Sequence, residues 1–244
     1  MNSILTGFNE HSREIGDYLD FLSILENEMQ NGIPKIGSKV ITPQQVYALY
    51  SSAFVQIYNL VEGTISKCIK AICDVIIVNG DCTLADLSEA MRKEWLRYAA
   101  KTHYTLAPDK RLEKLEDVLR MAVDGTPVSE FRLEKGGGGN WSDSTIEKFL
   151  YRIGCDYSID EQLKKRVKRP FKDDAGVMQY LMKLRNDLSH GNVSFCQCGQ
   201  DVSFTDIKNT YAVVHEYLNV IVSSVSQYIE NRHYLRHNVE SATA

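Results

Sequence analysis

The sequence has no excess of basic charge, no paired-cysteine spacing and no apolar run long enough to cross a membrane. Lys and Arg total 28 against 32 Asp and Glu, a formal net charge of −4. That balance excludes the global basic footprint of proteins that coat nucleic acid, so any RNA contact must be local. The six cysteines, Cys68, Cys73, Cys82, Cys155, Cys196 and Cys198, form no CxxC pair. Their scatter argues against a disulfide framework and for free thiols in a reducing compartment. Cys196-Gln197-Cys198-Gly199 lies near His190, but one residue between thiols and no second pair make zinc a poor fit, and the stretch reads as a turn. Met1 to Gly7 carries no basic segment leading into a long apolar run, so the expectation is a cytoplasmic protein with no membrane partner.

What is present suits one helical core. With 244 residues and 43% hydrophobic content, the chain can bury a substantial interior as a single domain over 1–244. Residues from about Asn9 to Gln30 place Ile15, Leu19, Leu22 and Leu25 on one face. Thr42-Pro43-Gln44-Gln45 then makes a capping box with proline at the first helical position. The helix it opens carries Val46, Tyr50, Phe54, Ile57, Val61, Ile65, Cys68, Ile72 and Val75, with a bend expected at Gly63 and a stop at Asn79-Gly80. Further helices are expected over Thr83 to Tyr98 and Asp109 to Val123, the latter packing through Leu112, Leu115, Val118 and Leu119. His103, between them, reads as a surface or cap histidine.

The helical pattern breaks over about 124–141, where Gly125, Pro127 and Gly136 to Gly139 predict a flexible glycine-rich loop with an extended piece near Val128 to Leu133. Four glycines do not make a phosphate loop here, because no Lys-Ser/Thr follows them. Capping boxes are read at Ser144 to Glu147 and Ser158 to Glu161. The second leads into Lys164, Lys165, Arg166, Lys168 and Arg169, the strongest basic cluster in an acidic chain. It reads equally as an RNA-backbone contact or as a solvated face paired with acidic groups. A helix is expected over Asp173 to Ser189, a small β-hairpin over Val193 to Phe204, and a long final helix through Ile207, Tyr211, Val214, Leu218, Ile221, Val225 and Tyr228. His215 lies one step off that seam, at the edge of the core. The tail over about 237–244 is expected to be disordered.

Leu184-Arg185-Asn186-Asp187-Leu188-Ser189-His190-Gly191 is the stretch with the most chemistry in it. Leu181, Leu184 and Leu188 carry the buried stripe, which puts the polar residues on its flank. Asn186 and His190 are four apart on one face, while Arg185 is about 140° round an ideal helix from His190. Gly191 and Asn192 suit a left-handed helix stop, which is expected to let His190 swing out of register. A histidine with an ordinary pKa near about 6.5 can exchange a proton with a 2′-hydroxyl or a 5′-oxygen at neutral pH. A guanidinium offers forked donors to phosphate oxygens and to the charge that develops on them. Taken alone, the Arg and His spacing is common, and a helix C-terminus favours a cation for dipole reasons.

The full run Arg185-Asn186-Asp187-Leu188-Ser189-His190-Gly191 resembles the Arg-x(4-6)-His signature of the HEPN superfamily in its ribonuclease-type branch. Gly139-Asn140-Trp141-Ser142 and Phe149 to Gly154 are similar to a segment ahead of that motif in the same branch. The resemblance implies an all-α, elaborated helical bundle and a metal-independent endoribonuclease of prokaryotic toxin or anti-phage systems. Arg185, Asn186 and His190 would be its catalytic residues, with Glu62 and Asp187 supporting them. It further implies a homodimer with a composite site, no cofactor, and a restraining antitoxin or NTPase partner. The alternative class is a non-catalytic helical module that uses the same groove to bind RNA, a nucleotide or a partner.

Overall fold

A computed structural model of the chain describes residues 2–78, 80–101, 107–135, 140–172 and 174–236. His103, Gly136 to Gly139, Asp173 and the tail from 237 lie outside these residues. The architecture is all-α, as the periodicity predicts. In chain order the helices are α1 (Asn2–Asn31), α2 (Pro43–Val78), α3 (Glu89–Lys101), α4 (Pro108–Val123), α5 (Asp143–Ile153), α6 (Glu161–Lys168), α7 (Val177–Ser189), α8 (Phe195–Gln200) and α9 (Phe204–Glu230). Two short antiparallel ladders interrupt them: β1 (Lys35–Ile36) with β2 (Lys39–Val40), and β3 (Pro170–Lys172) with β4 (Ala175–Gly176).

The central rod is α2. Its start follows from the expected capping box: Thr42 N donates to Gln45 Oε1 at 2.8 Å and Gln45 N to Thr42 Oγ1 at 3.3 Å. Along it, Tyr50, Phe54, Ile57, Val61, Ile65, Cys68 and Ile72 are buried, together with Ala53, Tyr58, Leu60 and Ile69, which widen the stripe to about half the circumference. A helix with so wide an apolar face needs several neighbours to cover it. α1, α7, α8 and α9 all pack against it. From α9, Ile207, Val214, Leu218, Ile221, Val225 and Tyr228 are buried, while Tyr211 is half-buried and donates to the Ser12 carbonyl on α1 at 2.8 Å.

Several expectations are corrected. The β-hairpin after the motif helix is absent; residues 195–200 form α8, which a Ser194 and Gln197 capping box starts. The alternation of Val193 to Phe204 misled because a six-residue helix is too short to display its period. Gly199, read as part of a turn, is where α8 meets α2: a Cβ there would sit 1.9 Å from the Tyr47 carbonyl oxygen. Hairpin structure lies before the motif helix instead, where Asp174 takes a positive φ of 55° between β3 and β4. The motif helix therefore begins at Val177, not Asp173.

Two capping boxes also move. The cap of α5 is Ser142, whose hydroxyl accepts from Thr145 N, and the cap of α6 is Asp160, which accepts from Gln162 N and Leu163 N. Thr83 and Asp86 cap only one turn, and α3 starts after Ser88. On α4 the expected inward stripe is outward: Leu112, Leu115 and Leu119 are exposed, and only Val118 and Met121 touch the core. Periodicity shows that a helix has an apolar face, not that a neighbour covers it.

Between α4 and α5 the described chain is packed. Val128, Phe131, Leu133 and Trp141 are buried, Val128 N donates to the Cys82 carbonyl at 2.7 Å, and Trp95 Nε1 to the Glu130 carbonyl at 3.2 Å.

Candidate active site on the motif helix

The end of α7 is built as a left-handed stop. Gly191 has φ +71°, Asn192 N donates to the Asp187 carbonyl at 2.9 Å, and Gly191 N to the Leu188 carbonyl at 3.2 Å. This pair of bonds is the Schellman closure, and glycine meets the positive φ without a Cβ penalty. Asn192 Nδ2 also donates to Asp187 Oδ1 at 3.3 Å, so Asp187 serves the turn through both its backbone and its side chain.

The turn does not release His190. Its backbone stays helical, with φ −91° and ψ −1°, and its N–H donates to the Asn186 carbonyl at 3.0 Å. The expected swing out of register is thus corrected: the αL residue is Gly191, one position later, so His190 keeps its place above Asn186 and its distance round the helix from Arg185. His190 is exposed at the rim, and Asn186 is half-buried beside it.

Arg185 points the other way, onto α2. Its Nη2 donates to Glu62 Oε1 in an ion pair whose side chains are 25% and 30% exposed. Its guanidinium carbon lies 5.1 Å from the centroid of the Tyr58 ring, within range of a cation–π contact. Tyr58 is fully buried, and its hydroxyl accepts from Trp141 N at 2.8 Å. Burial pushes the Tyr58 phenol above its ordinary value, so it stays a neutral ring under the cation. Glu62 and Tyr58 share a face of α2 because they are four residues apart.

The two stretches that carry the family resemblance therefore meet through one side chain. Trp141, in the segment before α5, hydrogen-bonds Tyr58, and Tyr58 supports Arg185 of the motif. Neither Tyr58 nor Trp141 was among the sequence-derived site residues. The i, i+4 spacing of Tyr58 and Glu62 was a usable signal; the contact of Trp141 across 83 positions was not.

The basic cluster is largely paired. Lys164 meets Glu161 at 3.7 Å, Lys168 meets Glu147 at 3.3 Å, and Arg166 forms an ion pair with Glu216 on α9. Among the described residues, Lys165 and Arg169 have no acidic partner, and both are exposed.

Among the described residues, the other chemistry-bearing groups do not converge on the end of α7. His215 is half-buried on α9, stacked on Phe8 with ring centroids 5.1 Å apart, and burial lowers its pKa. The six cysteines are free; burial pushes the Cys68 and Cys155 thiols up to about 12, which keeps them protonated and unreactive near neutral pH. Glu94 is fully buried between Arg97 and Arg152, with Arg152 Nε 3.1 Å from its Oε1, and ties α3 to α5. Among the described residues, no three His, Cys, Asp or Glu side chains gather closely enough to hold a metal ion, and no helix is long and apolar enough to cross a membrane.

Over residues 1–234 the sequence matches the model of the HEPN_MAE_28990-like HEPN family. No curated protein and no solved structure matches it significantly.

Proposed function

Since the chain belongs to the HEPN_MAE_28990-like HEPN family across nearly its whole length, we propose that it is a metal-independent endoribonuclease acting through Arg185 and His190. The observation that carries this reading is the division of roles on α7. Arg185 is locked by Glu62 and Tyr58, while His190 stands exposed on the last turn before a built helix stop.

His190 takes the proton from a ribose 2′-hydroxyl as the 2′-oxygen attacks the adjacent phosphorus. The bond from phosphorus to the 5′-oxygen breaks, and that oxygen leaves with a proton from a second imidazole. The products are a 2′,3′-cyclic phosphate and a 5′-hydroxyl. Arg185 stabilises the charge gathering on the non-bridging oxygens, and Asn186 orients the sugar or the imidazole.

One protomer holds Arg185 and His190 on different sides of the same helix, so the reading includes a second copy. A two-fold axis beside the end of α7 brings each Arg185 toward the other protomer's His190 and supplies both imidazoles to one phosphate. Lys165 and Arg169, the unpaired members of the basic cluster, hold backbone phosphates further along the strand. A nuclease of this kind also requires a protein that restrains it in its host, an antitoxin or an NTPase.

The test is to incubate wild-type and His190→Ala protein with total RNA in EDTA and map the new ends. Cleavage by wild type alone, leaving cyclic or 3′-phosphate termini, is the expected result. No cleavage by folded, dimeric wild-type protein overturns it and leaves the non-catalytic binding module.

A further inference from the structure

Away from the end of α7, an open cleft of about 460 Å³ lies between the α6–β3 connection and α9, lined by Arg166, Arg169, Pro170, Phe171, Val177, Asn209, Thr210 and Val213 among others. Its volume falls in the range that holds a small ligand. We infer that this cleft seats one nucleotide of a bound RNA strand, with the phosphate on Arg169, the base against Pro170 and Phe171, and Asn209 at the base edge. The inference rests on the nuclease reading only in taking RNA as the ligand.

Charge selects the kind of ligand. Arg166 is answered by Glu216, and the carboxylate of Asp206, also in the lining, is turned back to cap α9, accepting from Ser203 N at 2.9 Å and Ser203 Oγ at 2.7 Å. Asp206 keeps its negative charge on the α9 side of the cleft, while Arg169, among the described residues, has no acidic partner at the rim, where an anionic group gains an ion pair without breaking one.

The floor selects the rest. Phe171 is half-buried and anchored edge-on by Phe54 and Tyr180, at centroid distances of 6.4 and 5.1 Å. Such a fixed ring beside a proline is a stacking platform, and base stacking on an aromatic ring is a main source of affinity for unpaired strands. Asn209 is exposed on α9, and its amide can both donate to and accept from a base edge. An acidic peptide would use Arg169 but has no need of the aromatic floor.

The cleft reaches Val177 at the start of α7, and His190 caps its end. Thirteen residues of helix separate them by roughly 20 Å. The nucleotide seated here therefore lies several positions along the strand from the bond to be cut.

The experiment uses His190→Ala protein, so that binding is read without cleavage. A fluorescein-labelled unstructured decamer RNA is titrated against it, alone and with Arg169→Ala or Asn209→Ala added; both positions are exposed, so folding is not at risk. Each addition is expected to weaken binding about fivefold or more, and Arg169→Ala to lower the salt slope by about one. Adenosine and uridine 5′-monophosphates are expected to shift the amide resonances of residues 209–213. Unchanged RNA affinity in both variants overturns the inference, as does a polyglutamate peptide moving those resonances when neither nucleotide does. Cleavage by wild type with unaffected binding in the variants would sink the cleft alone. Variant-sensitive binding without any cleavage would sink the nuclease reading alone.

Discussion

Glu62 performs two separable jobs for Arg185, and substitution distinguishes them. Its carboxylate gives the guanidinium a fixed acceptor and also neutralises part of its charge. A hydrogen bond to a charged group contributes about 1.5–3 kcal/mol when buried, and an exposed ion pair about 0–1 kcal/mol. With side chains 25% and 30% exposed, this pair falls between, so Glu62→Ala is expected to cost about 1–2 kcal/mol of stability. In a domain of this size that lowers Tm by about 2–8 °C. The freed guanidinium then samples several rotamers, and loss of positioning at a reacting phosphate is expected to reduce kcat by about tenfold or more. Glu62→Gln keeps the shape and one acceptor oxygen but removes the negative charge. It should hold Arg185 nearly in place, leave kcat within a few fold, and tighten RNA binding because the cation is no longer shared. Single-turnover cleavage, RNA titration and thermal melts of the three proteins supply the comparison. Equal weakening of RNA binding by both variants, or an alanine variant with unchanged Tm and kcat, would refute the account.

Other outcomes follow from the same geometry. Tyr58→Phe preserves the ring under Arg185 but strands the buried Trp141 N–H, so it should cost about 1–3 kcal/mol in denaturant melts while leaving cleavage nearly intact. Gly199→Ala drives a methyl into the Tyr47 carbonyl oxygen, a backbone atom that cannot rotate away, and should cost about 3 kcal/mol as α8 lifts from α2; a melt matching wild type would show that α8 has room to shift. His215 is held neutral by burial against Phe8 and Tyr211, its pKa lowered below the ordinary value. The unfolded chain therefore binds that proton more readily than the folded one. Stability is fully present above about pH 6.5 and falls as pH drops below it toward the folded pKa, and His215→Phe should flatten that part of the profile in urea titrations at several pH values.

The all-α architecture was written in the sequence because its helices are long enough to show their period. α2 and α9 repeat apolar residues over many turns, and caps such as Thr42–Gln45 involve residues three apart, so their chemistry is local. The glycine stop after His190 was equally legible, since a positive φ is a single-residue property that Gly191 meets. Short elements were not: α8 has six residues, too few for a 3.6-residue period to separate from alternation. Which faces are covered also lay beyond local pattern, so the leucines of α4, which have the spacing of a core stripe, turned out exposed. The site divides along the same line. Arg185, Asn186 and His190 were visible as one motif, but the direction each faces depends on helix register and neighbours. Tyr58 and Trp141 reach Arg185 only because α2 and the segment before α5 fold against α7. Three members of the basic cluster found acidic partners, two of them on other elements. A residue's type, spacing and backbone preference belong to the local chain, whereas its partner is set by which distant surfaces the core brings together.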